Sequence, residues 1–169
     1  MRKCNENIFI NSLLMNIVKT LDQYDNNYVY FFDPIKNNVI NDGNFVRILY
    51  SSPLFTLNGI YLLITLNDII IEKYYNKYKC NFNINTHQLL IEKIQQIEEK
   101  LLEKYIYGNK TMSCKIPHYK IHEQIKNGNI KIFCESIKKN NNNLFILKIS
   151  GIWETDVSYG LTYKFIKIN

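Results

Sequence analysis

Hydrophobic positions along this chain repeat at two periods, and the switches between them mark out its elements. Ile10, Leu14, Ile17 and Leu21 recur at helical spacing with Leu13 and Val18 beside them, which predicts an amphipathic helix over 6–24. Short apolar runs then predict strands at Tyr28 to Phe32, Val39–Ile40, Phe45 to Tyr50, Leu54 to Leu57, Ile60 to Thr65 and Ile69 to Tyr78. Asp42-Gly43 and Asn58-Gly59 each stand between two such runs. Both residues of such a turn must tolerate positive φ, so each pair of runs is expected to form a hairpin.

Thr86 is expected to cap a long helix over 86–107 with Leu90, Ile94, Ile97 and Leu101 as its buried stripe. Glu98, Glu99, Lys100, Glu103 and Lys104 fall on its wet side, and Gly108 ends it. A third hairpin is expected around Asn127-Gly128: Ile125 faces Ile130 and Ile121 faces Cys134, while His122, Gln124 and Lys120 meet Phe133, Lys131 and Glu135. Lys138 to Asn143 reads as a connector, and Leu144 to Trp153 pairs with Leu161 to Ile168 in a last hairpin.

The order is helix, strand group (28–79), helix, strand group (116–168), within a single domain over 1–169. This predicts an α+β protein with an antiparallel, β-rich core, an N-terminal helix and one long central amphipathic helix. Two architectures fit: an OB-like barrel with a helix between its third and fourth core strands, or Whirly-like paired sheets.

Composition changes how the charge is read. The chain has no alanine and only two arginines, Arg2 and Arg47, among 21 Lys+Arg. Asn, Ile, Lys, Tyr and Phe dominate, as expected from an AT-rich genome, so part of the lysine content reports codon bias. The net charge of +6 favours anionic partners, and codon bias weakens that inference. Hydrophobic residues at 46% suffice for a packed core. Cys4, Cys80, Cys114 and Cys134 are dispersed without a CxxC pair, which fits a reducing compartment. Asn5, Glu6, Asn7, Asn11 and Asn16 interrupt the N-terminal stretch and argue against a signal peptide, and no apolar run reaches membrane-spanning length. The expectation is an intracellular protein with no membrane contact.

Candidate chemistry concentrates on two stretches. His118, Lys120, His122, Gln124, Lys126 and Lys131, with Phe133 among them, form a basic face carrying a ring on the third hairpin. Tyr74, Tyr75 and Tyr78, set among Lys73, Lys77 and Lys79, have the same character. Sequence-independent single-strand binders need this mixture, in which cations track phosphates and bases stack on rings. The expected nucleic-acid-binding residues are Lys73, Tyr74, Lys77, Tyr78, His118, Lys120, His122, Lys126, Lys131 and Phe133.

Cys114, His118 and His122 invite a zinc reading, but strand alternation would part the histidines, so no metal site is expected. Trp153 is expected to pack in the core on the same strand face as Leu147, Ile149 and Gly151. Asp33, Asp42, Glu72, Glu154 and Asp156 are scattered, and no P-loop, dinucleotide fingerprint or HExxH motif occurs. Neither a catalytic residue nor a cofactor is expected.

The run Ile149-Ser150-Gly151-Ile152-Trp153-Glu154-Thr155-Asp156-Val157-Ser158-Tyr159-Gly160-Leu161-Thr162-Tyr163-Lys164-Phe165 resembles endings of uncharacterised proteins from large eukaryotic DNA viruses. Phe45 to Ser51, with Leu57-Asn58-Gly59-Ile60-Tyr61, resembles the same group. The resemblance implies a viral setting, in host cytoplasm or nucleus, and brings no catalytic residues with it. The expected function is nonspecific single-stranded nucleic-acid binding in viral DNA replication or packaging. The alternative is a non-enzymatic structural or host-interaction protein, with a homodimer or protein partner docking on a sheet edge or on the 86–107 helix.

Overall fold

The computed structural model describes residues 18–37, 39, 42–75, 77–108, 114–133 and 143–168. The protein is α+β and strand-rich. Its spine is a long antiparallel hairpin, β11 (Leu144–Glu154) with β12 (Ser158–Lys167), running in register from Phe145–Lys167 to Glu154–Tyr159. β6 (Ile60–Thr65) lies along the first half of β11 and β4 (Asn44–Ser51) along the second. β1 (Lys19–Thr20) adds to β6 in parallel. Beyond β12 the sheet continues through β10 (Asn129–Ile132) and β8 (Lys77–Asn81) to β7 (Ile70–Tyr74). β9 (Ile116–His118) joins β12 in parallel. β2 (Val29–Phe31), β3 (Ile35–Lys36) and β5 (Thr56–Leu57) all pair with β4.

This mixed sheet does not close, so the expected OB-like barrel is not its architecture. Nor do the strand groups form paired sheets, because β6 of the first pairs with β11 of the second and β8 with β10. The two groups are woven into one sheet.

α1 (Gln88–Gly108) covers one face. Ile94, Ile97 and Leu101 share a core with Leu62, Ile64, Leu147 and Phe165. This burial bears out the stripe and corrects the dimer-seam alternative, since the apolar face it needs is occupied. The expected wet position Glu98 is also buried. The helix is described as far as Gly108, and Thr86 is not its cap. Thr86 lies in a 3₁₀ turn (Asn85–His87) leading into α1, and its hydroxyl donates back to the Asn83 carbonyl at 3.0 Å.

Four local expectations are corrected. Val18 to Tyr24 is a bend, β1 and a 3₁₀ turn rather than helix; residues 6–17 lie outside the described residues. β4 pairs with β3 at Ile35–Phe45, leaving Val39 exposed in the connection. β5 pairs back on β4, so Asn58-Gly59 links two strands that are not partners. The run from Ile69 to Tyr78 is two strands, folded at Tyr75, which takes φ +52°.

A fifth correction moves the site. Residues 120–126 form α2 (Lys120–Lys126) rather than a strand. Ile121 and Ile125 are four apart, a spacing that suits both a strand face and a helix face. Gly128 (φ +66°) stops the helix, and its N–H donates to the Ile125 carbonyl at 2.9 Å. At the other end the Ile121 and His122 N–H groups donate to the two Glu98 carboxylate oxygens at 3.0 and 2.7 Å. The expected partners Cys134 and Glu135 lie outside the described residues, as does most of the 138–143 connector.

The spine depends on one close approach. A Cβ on Gly151 would sit 2.4 Å from the Val46 carbonyl oxygen and 2.5 Å from Phe45 Cζ. Gly151→Ala is therefore expected to destabilise the protein by about 2–3 kcal/mol through overpacking against backbone, measured as a lower urea midpoint. An unchanged midpoint would mean β4 can move away freely.

Candidate functional site

In the β7–β8 hairpin Lys73 faces Tyr78, Glu72 faces Lys79 and Tyr74 faces Lys77. On the other edge of β8, Ile130 pairs with Cys80, Lys131 with Lys79 and Ile132 with Tyr78. Alternation turns Cys80, Ile130 and Ile132 into the core. It leaves Glu72, Tyr74, Lys77, Lys79, Asn129 and Lys131 together on the outer face. These six line a shallow groove of about 520 Å³, which Lys73 and Tyr78 touch at the hairpin end although alternation turns both to the other face, Tyr78 against the core.

Rings and cations alternate here. Lys77 Nζ stands 4.7 Å from the Phe133 ring centroid, and Lys73 Nζ 6.0 Å from that of Tyr78. Tyr74 is 66% exposed and Phe133 64%, with Tyr75 packed edge-to-face against Tyr74 at 4.7 Å between centroids. Among the described residues, Lys73, Lys77, Lys79 and Lys131 form no ion pair; the ion pairs are Lys93–Asp22, Lys115–Glu154 and Lys120–Glu123. Lys79 and Lys131 are direct cross-strand partners, an arrangement that repels in the free protein.

Of the expected site residues, Tyr74, Lys77 and Lys131 converge in the groove, with Phe133 at its end, while Lys73 and Tyr78 border it from the opposite sheet face. Lys120 lies in an adjoining depression of about 280 Å³ that shares Asn129 and Lys131 with the groove, and its Nζ is held by Glu123 at 2.8 Å. That ion-paired hydrogen bond holds the Glu123 carboxyl below its usual range. The other three go elsewhere. His118 is on β9, its ring 5.6 Å from that of Trp153. His122 is in the first turn of α2, and Lys126 is exposed in its last turn.

Glu72, Lys79 and Asn129 join the site without being among the expected residues, Glu72 directly opposite Lys79. The sequence shows Lys79 in the same lysine–tyrosine run, but carries no local signal that β8 pairs with β10. Asn129 looked like the residue after a hairpin turn and is instead the first residue of β10.

The remaining polar clusters are structural. Glu154, buried, accepts from Asn44 Nδ2 at 3.1 Å and from the Tyr105 hydroxyl at 2.9 Å, with Lys115 Nζ at 3.6 Å. His87 Nε2 accepts the Asn67 N–H at 3.0 Å, which leaves Nδ1–H for the Asn83 carbonyl at 2.8 Å. Trp153 departs from its expected place, because a bulge between Ile149 and Gly151 reverses the strand faces. Ile152 and Glu154 turn inward, while the half-buried Trp153 ring covers Gly160. No group of three metal-ligating side chains occurs among the described residues, and no helix there is long and apolar enough to cross a membrane. Compared with known proteins, the chain matches no family model, no curated protein and no solved structure.

Proposed function

We propose that the β7–β8–β10 groove binds single-stranded nucleic acid with little sequence preference. One observation carries the reading: three lysines on one sheet face, Lys77, Lys79 and Lys131, without ion-pair partners among the described residues, converge beside exposed aromatic rings. Two such charges about 5 Å apart repel by about 1 kcal/mol even at the dielectric constant of water. A phosphate backbone relieves that repulsion, and Tyr74 and Phe133 offer stacking surfaces that only unpaired bases can reach. Lysines act as point charges rather than bidentate readers of base edges, hence the weak sequence preference. Together with the resemblance to proteins of large DNA viruses, this suits a role in replication or packaging of viral DNA.

The test is a titration with fluorescent oligo-dT and with a duplex of equal length at several salt concentrations. Three phosphate contacts give a slope of log K against log salt of roughly −2, with the single strand preferred. Equal affinity for the duplex, or no saturable binding, would contradict the reading.

A second reading rests on β7. It is the last strand of the sheet path, and all five of its residues are exposed. An extended segment of a partner protein could add there by backbone hydrogen bonds. That mode would show no steep salt dependence with oligonucleotides and would depend on the β7 edge, not on the lysines.

A further inference from the structure

We propose that the bound strand continues beyond the groove, crossing the sheet along a transverse row of lysines. The inference rests on the single-strand reading and extends its site to Lys164, Lys148 and Tyr61. In cross-strand register Lys79 faces Lys131 and Lys164 faces Lys148, while Lys148 faces Tyr61. Lys131 and Lys164 each stand one position before the Ile132–Phe165 bridge that joins β10 to β12. Four adjacent strands thus each place a lysine in one line.

All four lie on the face away from α1. Their chain neighbours Ile130, Ile132, Phe165, Leu147 and Ile149 are buried in the core, so alternation points the lysines outward. Lys79 with Lys131 and Lys164 with Lys148 are direct neighbours at a strand spacing of about 4.8 Å, and the single Ile132–Phe165 bridge joins the two pairs. Among the described residues none of these four lysines is ion-paired. Direct like-charge neighbours repeated across a sheet work against folding, and a polyanion laid across the strands removes that penalty along the whole row.

The ends of the row favour an unpaired polynucleotide over other polyanions. Lys148 Nζ is 4.9 Å from the Tyr61 ring centroid, as Lys77 Nζ is 4.7 Å from that of Phe133. A cation beside a ring therefore recurs at both ends, presenting phosphate and base contacts side by side. An acidic protein surface would use the lysines without the rings.

The experiment compares wild type with Lys148→Gln/Lys164→Gln and with Tyr61→Leu, using oligo-dT of graded length and heparin as a base-free polyanion. Loss of two phosphate contacts is expected to reduce the salt slope by about 1.4 and to shorten the oligonucleotide needed for full affinity. Tyr61→Leu is expected to weaken oligo-dT binding several-fold without changing retention on heparin. Thermal melts serve as the folding control, and removing the two charges should not lower the melting temperature. If wild type binds oligo-dT and the double variant keeps its slope and length dependence, the strand ends at the groove; the extension fails and the groove reading stands. If Tyr61→Leu changes neither ligand, the row accepts any polyanion and its assignment to a single strand is wrong. If wild type binds no oligonucleotide, both fall together.

Discussion

Replacing Lys77, Lys79 and Lys131 together by glutamine is expected to lower affinity for oligo-dT about 100-fold at 0.1 M salt. Each lysine–phosphate contact contributes about 0.7 to the salt slope, so three losses amount to about two decades at that salt relative to 1 M. The same variant is expected to hold its stability, because the repulsion between Lys79 and Lys131 on neighbouring strands is lost together with the attraction between Lys79 and its other cross-strand partner, Glu72. Anisotropy titration and a thermal melt on the same preparation read both effects. Lost binding with an intact melting temperature is the signature of lysines that serve binding rather than the fold. Unchanged affinity would remove the groove from the site, and a lowered melting temperature would show that the lysines support the fold.

The second large effect concerns Glu98. Its carboxylate is buried and accepts two backbone N–H groups from the first turn of α2, 23 and 24 residues away in sequence. Glu98→Ala leaves both donors without an acceptor in a buried site, a loss of about 2–5 kcal/mol. Burial pushes the carboxyl from its ordinary 4.5 up to about 7, with the two N–H bonds opposing that shift. The folded protein therefore holds the proton more tightly than the unfolded chain. This group's contribution is full below about pH 4.5 and is lost as pH rises through about 7. Urea denaturation of wild type is expected to show stability falling across pH 5–7 from this source. Glu98→Gln, which cannot ionise, is expected to lack that slope. A Glu98→Ala variant as stable as wild type would contradict the account of how α2 is held, and a slope surviving in Glu98→Gln would assign the titration to another group.

Those two sites also show where sequence reading works in this chain and where it stops. The β11–β12 hairpin and α1 were legible because each is long enough for its period to be unambiguous. Residues 120–126 were not, because Ile121 and Ile125 satisfy both periods. What favours the helix is a carboxylate on α1 together with the left-handed Gly128, and neither registers in a local window. Chemistry was legible where a single segment carried it, as in the Lys73–Tyr78 run. The pairing of β8 with β10 was not, because it joins residues about 50 apart with a helix between them. For the same reason His118, His122 and Lys126 were grouped with Lys131 on a face that does not exist. Trp153 was assigned the wrong side because a bulge reverses alternation and leaves no mark in composition.

The central claim is that unpaired bases lie against the rings of the groove, and photo-crosslinking tests it most directly. An oligo-dT carrying 5-iodouracil would be irradiated with the protein at low salt and the adducts mapped by mass spectrometry. Adducts on Tyr74 or Phe133 are the expected result. No adducts, or adducts confined to exposed rings elsewhere such as Tyr107 on α1, would contradict it.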